Sequence, residues 1–155
     1  MEVITSHTNA DFDTFASMVA AKKLYPQARL VFSGSLEKRL KTAVEAAAPL
    51  YIFEKIKDVD LGKITRLILV DVRRTGRLGP FDEVAKRNGV DIHIYDHHLE
   101  GGVAPSGAED LKPSVSVIKP WGSTATIMTH ILKERDFVIT PEEATILMSG
   151  IYEDT

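Results

Sequence analysis

The sequence predicts an α/β domain: a mainly parallel, doubly wound sheet with helices on both faces. Three observations carry this expectation. Short β-rich runs alternate with segments of helical periodicity along the chain, the order that builds βαβ units. The run "RLILVDV" (66–72) is uninterrupted and apolar, as a strand covered on both faces requires. The 155 residues fit one domain and are enough to bury a sizeable core.

Each element has its own signal. "EVITS" (2–6) is a short strand, and "HTNADFD" (7–13) is a polar loop. "DTFASMVAAKKLYP" (13–26) predicts a helix, because Phe15, Met18, Val19, Lys22 and Leu24 recur at roughly helical spacing and Pro26 lies just past the end. "ARLVFSG" (28–34) is a second strand. Residues 35–48 form a helix with Ser35 as its cap. "LYIFEKI" (50–56) is a third, short strand, and 66–72 a fourth. "FDEVAKRNG" (81–89) is a helix closed by Gly89. "VDIHIYD" (90–96) is the next strand, residues 100–114 are rich in Gly, Pro and acid and predict an exposed loop, and "SVSVIKP" (114–120) is the last strand. "STATIMTHILKERD" (123–136) is a helix with Ser123 or Thr124 near its start. "TPEEATILMSGIYEDT" (140–155) is a final helix, with Thr140 as cap and Pro141 at its first position. There is no internal repeat.

Composition narrows the function. A net charge of −3 argues against a protein that coats nucleic acid, while leaving a local basic patch open. No cysteine is present, so disulfides and thiolate metal sites are excluded and any metal must be held by His, Asp and Glu. No signal peptide is visible and no apolar run approaches the roughly 20 residues of a membrane span, so a cytoplasmic location is expected. The chain stops just after a Glu–Asp pair with no tail or cap, as expected of a fragment of a longer protein.

In a parallel sheet, ligands bind beyond the carboxyl ends of the strands. The unusual residues fall there. His7, Asp11 and Asp13 follow the first strand, Asp71 ends "LILVD", and Asp96, His97 and His98 end "IHIYD". Singly each has a plain reading, Asp11 or Asp13 as a cap or turn former and the histidines as solvated. Their coincidence at three strand ends does not. So many carboxylates would repel one another unless cations neutralised them. Mixed His and Asp ligands suit Mn²⁺, and less readily Mg²⁺ or Zn²⁺. The ligands outnumber the needs of one ion; two ions sharing a bridging carboxylate would use them all, a solution suited to phosphoester hydrolysis.

"SHTNADFD", "LILVDV", "YDHH" and "SGIYEDT" resemble, in order, the four motifs of the DHH phosphoesterase superfamily. That superfamily includes the exonuclease RecJ, oligoribonucleases, cyclic-dinucleotide phosphodiesterases and manganese-dependent inorganic pyrophosphatases. The resemblance implies that 1–155 is a DHH phosphoesterase N-terminal domain ending at the fourth motif. It implies that His7, Asp11 and Asp71 bind one metal, and that Asp13, Asp71, His97 and Asp154 bind the other, with Asp71 bridging. His98 would act on the substrate phosphate as donor or general acid, making His98 and Asp71 the catalytic pair, and Asp96 would orient a ligating histidine. The wording of the motifs is similar to the N-terminal region of bacterial proteins that also carry CBS domains and a tRNA-nucleotidyltransferase or poly(A)-polymerase-like domain. DHHA1-like, CBS and nucleotidyltransferase companion domains would then lie in the same protein.

Two further features fit phosphate. Arg73, Arg74 and Arg77 follow Asp71 and are either phosphate forks or a solvated basic loop. Ser123 and Thr124 sit at a helix start, where free amides bind anions or the side chains simply cap. The expected substrate is a nucleotide or single-stranded nucleic acid such as RNA. Pyrophosphatase activity and a non-catalytic nucleotide- or RNA-binding module are the alternatives. His93 is read as packing or contacting a neighbour, His130 as a mid-helix residue, Trp121 as a core or domain-contact residue, and Met18, Met128 and Met148 as core filler.

Overall fold

The expected alternation is realised in a computed structural model, which describes residues 1–99 and 107–155. Strand β1 (Glu2–Thr5) leads into helix α1 (Phe12–Leu24), then β2 (Arg29–Val31), α2 (Lys38–Ala47), β3 (Phe53–Glu54) and β4 (Arg66–Val70). Helix α3 (Phe81–Lys86), β5 (Asp91–Asp96), β6 (Val115–Ile118), α4 (Thr124–Glu134) and α5 (Pro141–Asp154) complete the order. The six strands form one sheet in the order β3-β2-β1-β4-β5-β6, with every pair parallel.

The strand order runs outward in both directions from the β1–β4 pair, so connections on either side of it leave in opposite directions. That opens a crevice beyond the carboxyl ends. Register aligns those ends: Thr5 lies beside Leu69, and Val70 beside Tyr95. His7, Asp71 and Asp96 therefore emerge together.

Alternating side chains split the core into two layers. Ile4, Leu30, Ile68 and Val70 pack with Met18 of α1, Met128 of α4 and Leu147 of α5; Val3, Val31, Leu67 and Leu69 pack with Phe81 and Val84 of α3. Leu40 and Ala47 close α2 against Phe15 and Val19. Each fully buried Leu, Ile or Val contributes about 1.5–3 kcal/mol over an exposed one. Helix α5 comes close to α1 because Gly150 carries no side chain. A Cβ there would lie 2.5 Å from Ala16 Cβ and 2.9 Å from the Phe12 carbonyl oxygen.

Several boundaries differ from the sequence expectation for local reasons. Helix α1 starts one residue early because Asp11 caps it, accepting from the Thr14 amide at 2.9 Å. Glu37 caps α2 in place of Ser35. The third strand shrinks to two residues at the sheet edge, leaving Leu50 and Ile52 exposed. Helix α3 ends at Lys86, before Gly89 takes its positive φ. Met18 and Met128 are core residues, but Met148 is 59 % exposed, because it lies on the outward face of α5. Thr140 and Pro141 start α5 as expected, with Glu143 completing a reciprocal cap. Of the expected loop 100–114, residues 100–106 lie outside the described residues; beyond them Asp110 bridges to Arg74. Among the described residues, no helix is long and apolar enough to cross a membrane.

Candidate metal centre

Asp71 lies at the middle of the site. It is the first residue past β4, 3 % exposed, with φ of 62°. A left-handed conformation is tolerated by Asp and Asn better than by other non-glycine residues, and it is held here by an amide hydrogen bond to the Tyr95 carbonyl at 2.9 Å. The two carboxylate oxygens serve different neighbours. Oδ2 lies 3.2 Å from His7 Nε2 and accepts from Thr14 Oγ1 at 3.1 Å. Oδ1 accepts from Thr124 Oγ1 at 3.0 Å and lies 3.4 Å from His97 Nε2.

Around this carboxylate the ligand-type atoms fall into overlapping groups, each within 4.8 Å: His7, Asp11 and Asp71; Asp13, His97 and Asp154; and Asp71, His97 and His98. Strand β1 and the capped start of α1 supply His7, Asp11 and Asp13. The end of α5 supplies Asp154. Asp13 is fully buried and lies against the N-terminus of α4, accepting from the Thr124 amide at 3.0 Å and the Ala125 amide at 2.7 Å. An anion is favoured there by free amides and the helix dipole. The Trp121 carbonyl accepts from His97 Nδ1 at 3.0 Å, which fixes the ring and turns Nε2 inward. Nε2 then lies 3.4 Å from Asp154 Oδ2 and 3.6 Å from Asp13 Oδ2.

Charge is held under tension. Burial, and then the neighbouring Asp71 charge, push the Asp13 carboxyl up to about 8, although the Ala125 and Thr124 amides oppose this. Burial acts on Asp71 too, but hydrogen bonds from His7 and His97 outweigh it and hold that carboxyl well below the usual range. The Asp71 hydrogen bond raises His97 to about 9. Burial raises Asp154. The donor set of carboxylates with imidazole fits a divalent transition ion, whose positive charge would relieve this crowding of carboxylates. Ligands bonded to one ion at about 2.1 Å stand about 3–3.5 Å apart, close to the separations found around His97 Nε2 and His7 Nε2.

The remaining expected residues divide. Asp96, 1 % exposed, accepts through Oδ1 from the His97 amide at 3.0 Å and from His98 Nδ1 at 2.6 Å. That contact raises the His98 pKa. The Asp96 side chain therefore orients His98 rather than the ring of His97. Its Oδ2 has no hydrogen-bond partner among the described residues. Ser123 is buried and caps α4, accepting from the Thr126 amide. Thr124 is also buried, its hydroxyl engaged by Asp71 and its amide by Asp13, so the α4 N-terminus holds Asp13 and not a free anion site. Arg74 pairs with Asp110 at 2.9 Å, Arg73 is half-buried, and Arg77 is exposed with its carbonyl accepting from the Thr8 amide. His93 bonds Tyr25 and Asp91, and His130 pairs with Glu134.

Two contributors were missed from sequence. The Thr14 hydroxyl joins Asp11, Asp71 and His7. Its place three residues after a helix cap signals the amide contact, but not this. The Trp121 carbonyl has no sequence signal at all, because backbone chemistry is the same at every residue.

Comparison with known proteins bears on the family and the fold. A family model described as the DHH family, N-terminal domain, matches residues 2–151. The chain is 49 % identical over 156 residues to the A-adding tRNA nucleotidyltransferase of Geobacter sulfurreducens, covering 100 % of this chain and 17 % of that protein. It is 35 % identical over 100 residues to a probable manganese-dependent inorganic pyrophosphatase of Thermotoga maritima, covering 61 % of this chain and 17 % of that one. An exopolyphosphatase-related protein from Bacteroides fragilis shares the fold, with a TM-score of 0.76 at 17 % identity over 99 % of this chain and 46 % of its own.

Proposed function

The chain belongs to the DHH family, and from that premise we propose that it is a phosphoesterase domain. It holds two divalent ions, Mn²⁺ ahead of Mg²⁺, and hydrolyses a phosphodiester of a nucleotide or nucleic acid. The observation that supports this most is the division of Asp71 between two ligand groups, Oδ2 toward His7 and Oδ1 toward His97. His7 and Asp11 would hold one ion and Asp13, His97 and Asp154 the other, with Asp71 shared. Divalent ions bound there would supply an activated water and a charge clamp for phosphoryl oxygen.

The chain's own residues do the rest. Trp121 and Asp96 fix the two adjacent imidazoles in different ways, so His97 points inward while His98 stays 55 % exposed. With Nδ1 bound to Asp96, Nε2 is the His98 nitrogen that meets substrate. The Asp96 contact raises the His98 pKa and so favours the protonated ring, which suits donation to the departing oxygen. Arg73 and Arg77, just past Asp71, are the cations on hand for further phosphate oxygens.

The chain spans 17 % of the length of the nucleotidyltransferase relative. That share supports companion domains, among them DHHA1-like, CBS and nucleotidyltransferase domains, and a role in RNA processing. Similarity to the pyrophosphatase supports a second reading, in which pyrophosphate is the substrate.

Asp71→Asn tests the proposal cleanly, since Asn tolerates the same left-handed backbone. The full-length protein is given Mn²⁺ and, in parallel, a short single-stranded oligonucleotide and pyrophosphate. Hydrolysis of the oligonucleotide that vanishes with EDTA and falls at least about a hundredfold in the variant is expected. Full activity in Asp71→Asn would overturn the bridging role, and hydrolysis of pyrophosphate alone would favour the second reading.

A further inference from the structure

Strand β2 supplies none of the ligand-type groups around Asp71, yet its end is bound to the loop that carries His7. Ser33, 4 % exposed, donates from Oγ to the carbonyl of the buried Ser6 at 2.7 Å. The preceding Phe32 stacks on Phe53 of β3, ring centroids 4.8 Å apart, which anchors this end of β2 in the sheet. On the other side of His7, the Thr8 amide donates to the Arg77 carbonyl at 2.8 Å. Arg77 belongs to the loop that begins at Asp71.

These two bonds act on the two peptide groups that flank the His7 Cα. Each peptide is planar, so holding both of them sets the backbone angles of His7 and leaves only its side-chain rotations free. Two glycines let the three loops meet at backbone distance. A Cβ at Gly34 would lie 2.8 Å from the Thr8 carbonyl oxygen, and one at Gly79 would lie 2.6 Å from the Ser33 carbonyl oxygen and 3.2 Å from Thr8 Cγ2. Gly79 also has φ of 56°, a conformation that favours glycine. The contact joins the His7 loop to the loop of Asp71, and His7 Nε2 lies 3.2 Å from Asp71 Oδ2 although the two residues follow different strands.

We propose that Ser33 is a positioning residue: its hydroxyl, acting with the Thr8–Arg77 hydrogen bond across the Gly34–Gly79 contact, sets the His7 imidazole against Asp71. The proposal rests on the two-ion reading and deepens it, because it makes the two ions unequal in their dependence on β2. The ion of His7, Asp11 and Asp71 depends on Ser33. The ion of Asp13, His97 and Asp154 does not, since the partners of Asp13 and His97 are the α4 amides and the Trp121 carbonyl.

Two measurements on the full-length protein test it. Calorimetry follows Mn²⁺ binding, and hydrogen exchange of the peptide covering residues 5–10 is read in EDTA, where no ion contributes. Ser33→Ala is expected to weaken one of two Mn²⁺ binding steps about tenfold and to leave the other within about twofold. Exchange of the peptide should speed up about 2- to 10-fold while remote peptides stay unaltered. Ser33→Cys keeps the volume but donates poorly, so it should behave as Ser33→Ala does. Ser33→Thr keeps the hydroxyl and should restore both readings, a rescue that a purely space-filling role would not give. Two Mn²⁺ steps that Ser33→Ala and Ser33→Cys leave unchanged, or weaken equally, overturn the positioning role and leave the two-ion reading standing. Unchanged exchange in EDTA overturns it as well. Fewer than two Mn²⁺ steps in the native protein, with exchange that accelerates in Ser33→Ala and recovers in Ser33→Thr, supports Ser33 as the residue that holds His7 and overturns the two-ion reading.

Discussion

Gly150→Ala probes the link between packing and the metal centre. The added methyl would sit 2.5 Å from Ala16 Cβ, 2.9 Å from the Phe12 carbonyl oxygen and 3.2 Å from Ala125 Cβ. None of these is the far end of a flexible side chain, so a helix has to move. Overpacking of this kind costs about 1–3 kcal/mol. For a chain of this size that lowers the unfolding temperature by about 2–12 °C. The displacement should not stay local. Asp154 lies four residues after Gly150, on the same face of α5, so the face that docks on α1 also presents the carboxylate to His97. Moving α5 outward therefore displaces the carboxylate proposed as a metal ligand, and Mn²⁺ binding measured by calorimetry is expected to weaken about tenfold or more. Met148→Ala on the exposed face of the same helix serves as the control, with a stability change within about 0.5 kcal/mol. An unfolding temperature for Gly150→Ala within one degree of the native chain, with Mn²⁺ affinity unchanged, would refute the idea that close helix approach sets the Asp154 position.

Two further outcomes follow from contacts around the site. Glu143 is buried, bound to Lys23 at 2.8 Å, to the Tyr51 hydroxyl and to the Thr140 amide, and although burial pushes the other way these partners hold its carboxyl down to about 2 against an ordinary 4.5. A depressed carboxylate contributes its stability above the unfolded value and loses it as pH falls, so about 3 kcal/mol should disappear between pH 4.5 and 2; Glu143→Gln should flatten that part of a denaturant-stability profile, and an unaltered slope would count against the ion pair. Thr14→Val removes the hydroxyl shared by Asp11, Asp71 and His7 at nearly constant volume. Mn²⁺ affinity by titration calorimetry should drop about 10- to 100-fold, and an equal affinity would mean that the hydroxyl orients nothing.

The expectation of a parallel sheet held because its signals are local. A continuous apolar run such as Leu67–Val70 must be covered on both faces, and alternation with helices forces parallel neighbours. The ligand cluster was visible for a related reason, since strand ends in such a sheet share one edge whatever their separation in sequence. What the sequence hid depends on backbone geometry and on who reaches a donor first. Nothing in "LVDVRR" signals that Asp71 turns left-handed, and nothing in "WGSTAT" signals that Asp13 takes the α4 amides before any substrate could. Met148 fails for a different reason. Methionine suits cores, but position on a helix decides burial, and one face of α5 stays outside every core cluster.

The site's location also follows from how its negative charge is borne. Parallel βαβ order puts helix N-termini at the carboxyl edge of the sheet, and these are the parts of the fold rich in unpaired amides. Asp11 takes the start of α1, Asp13 takes the start of α4, and Asp96 takes the amide that follows β5. Asp71 has no helix end and relies on two threonine hydroxyls and two imidazoles instead. Backbone amides are rigid and cannot follow a ligand, whereas hydroxyls and imidazoles can rotate or exchange a proton. The carboxylate proposed to be shared between two ions is thus the one with adjustable partners, and those at the periphery are the ones fixed by the fold. The opposite assignment, with Asp71 pinned by amides, would hold the pair of ligand groups apart whenever one of them shifted.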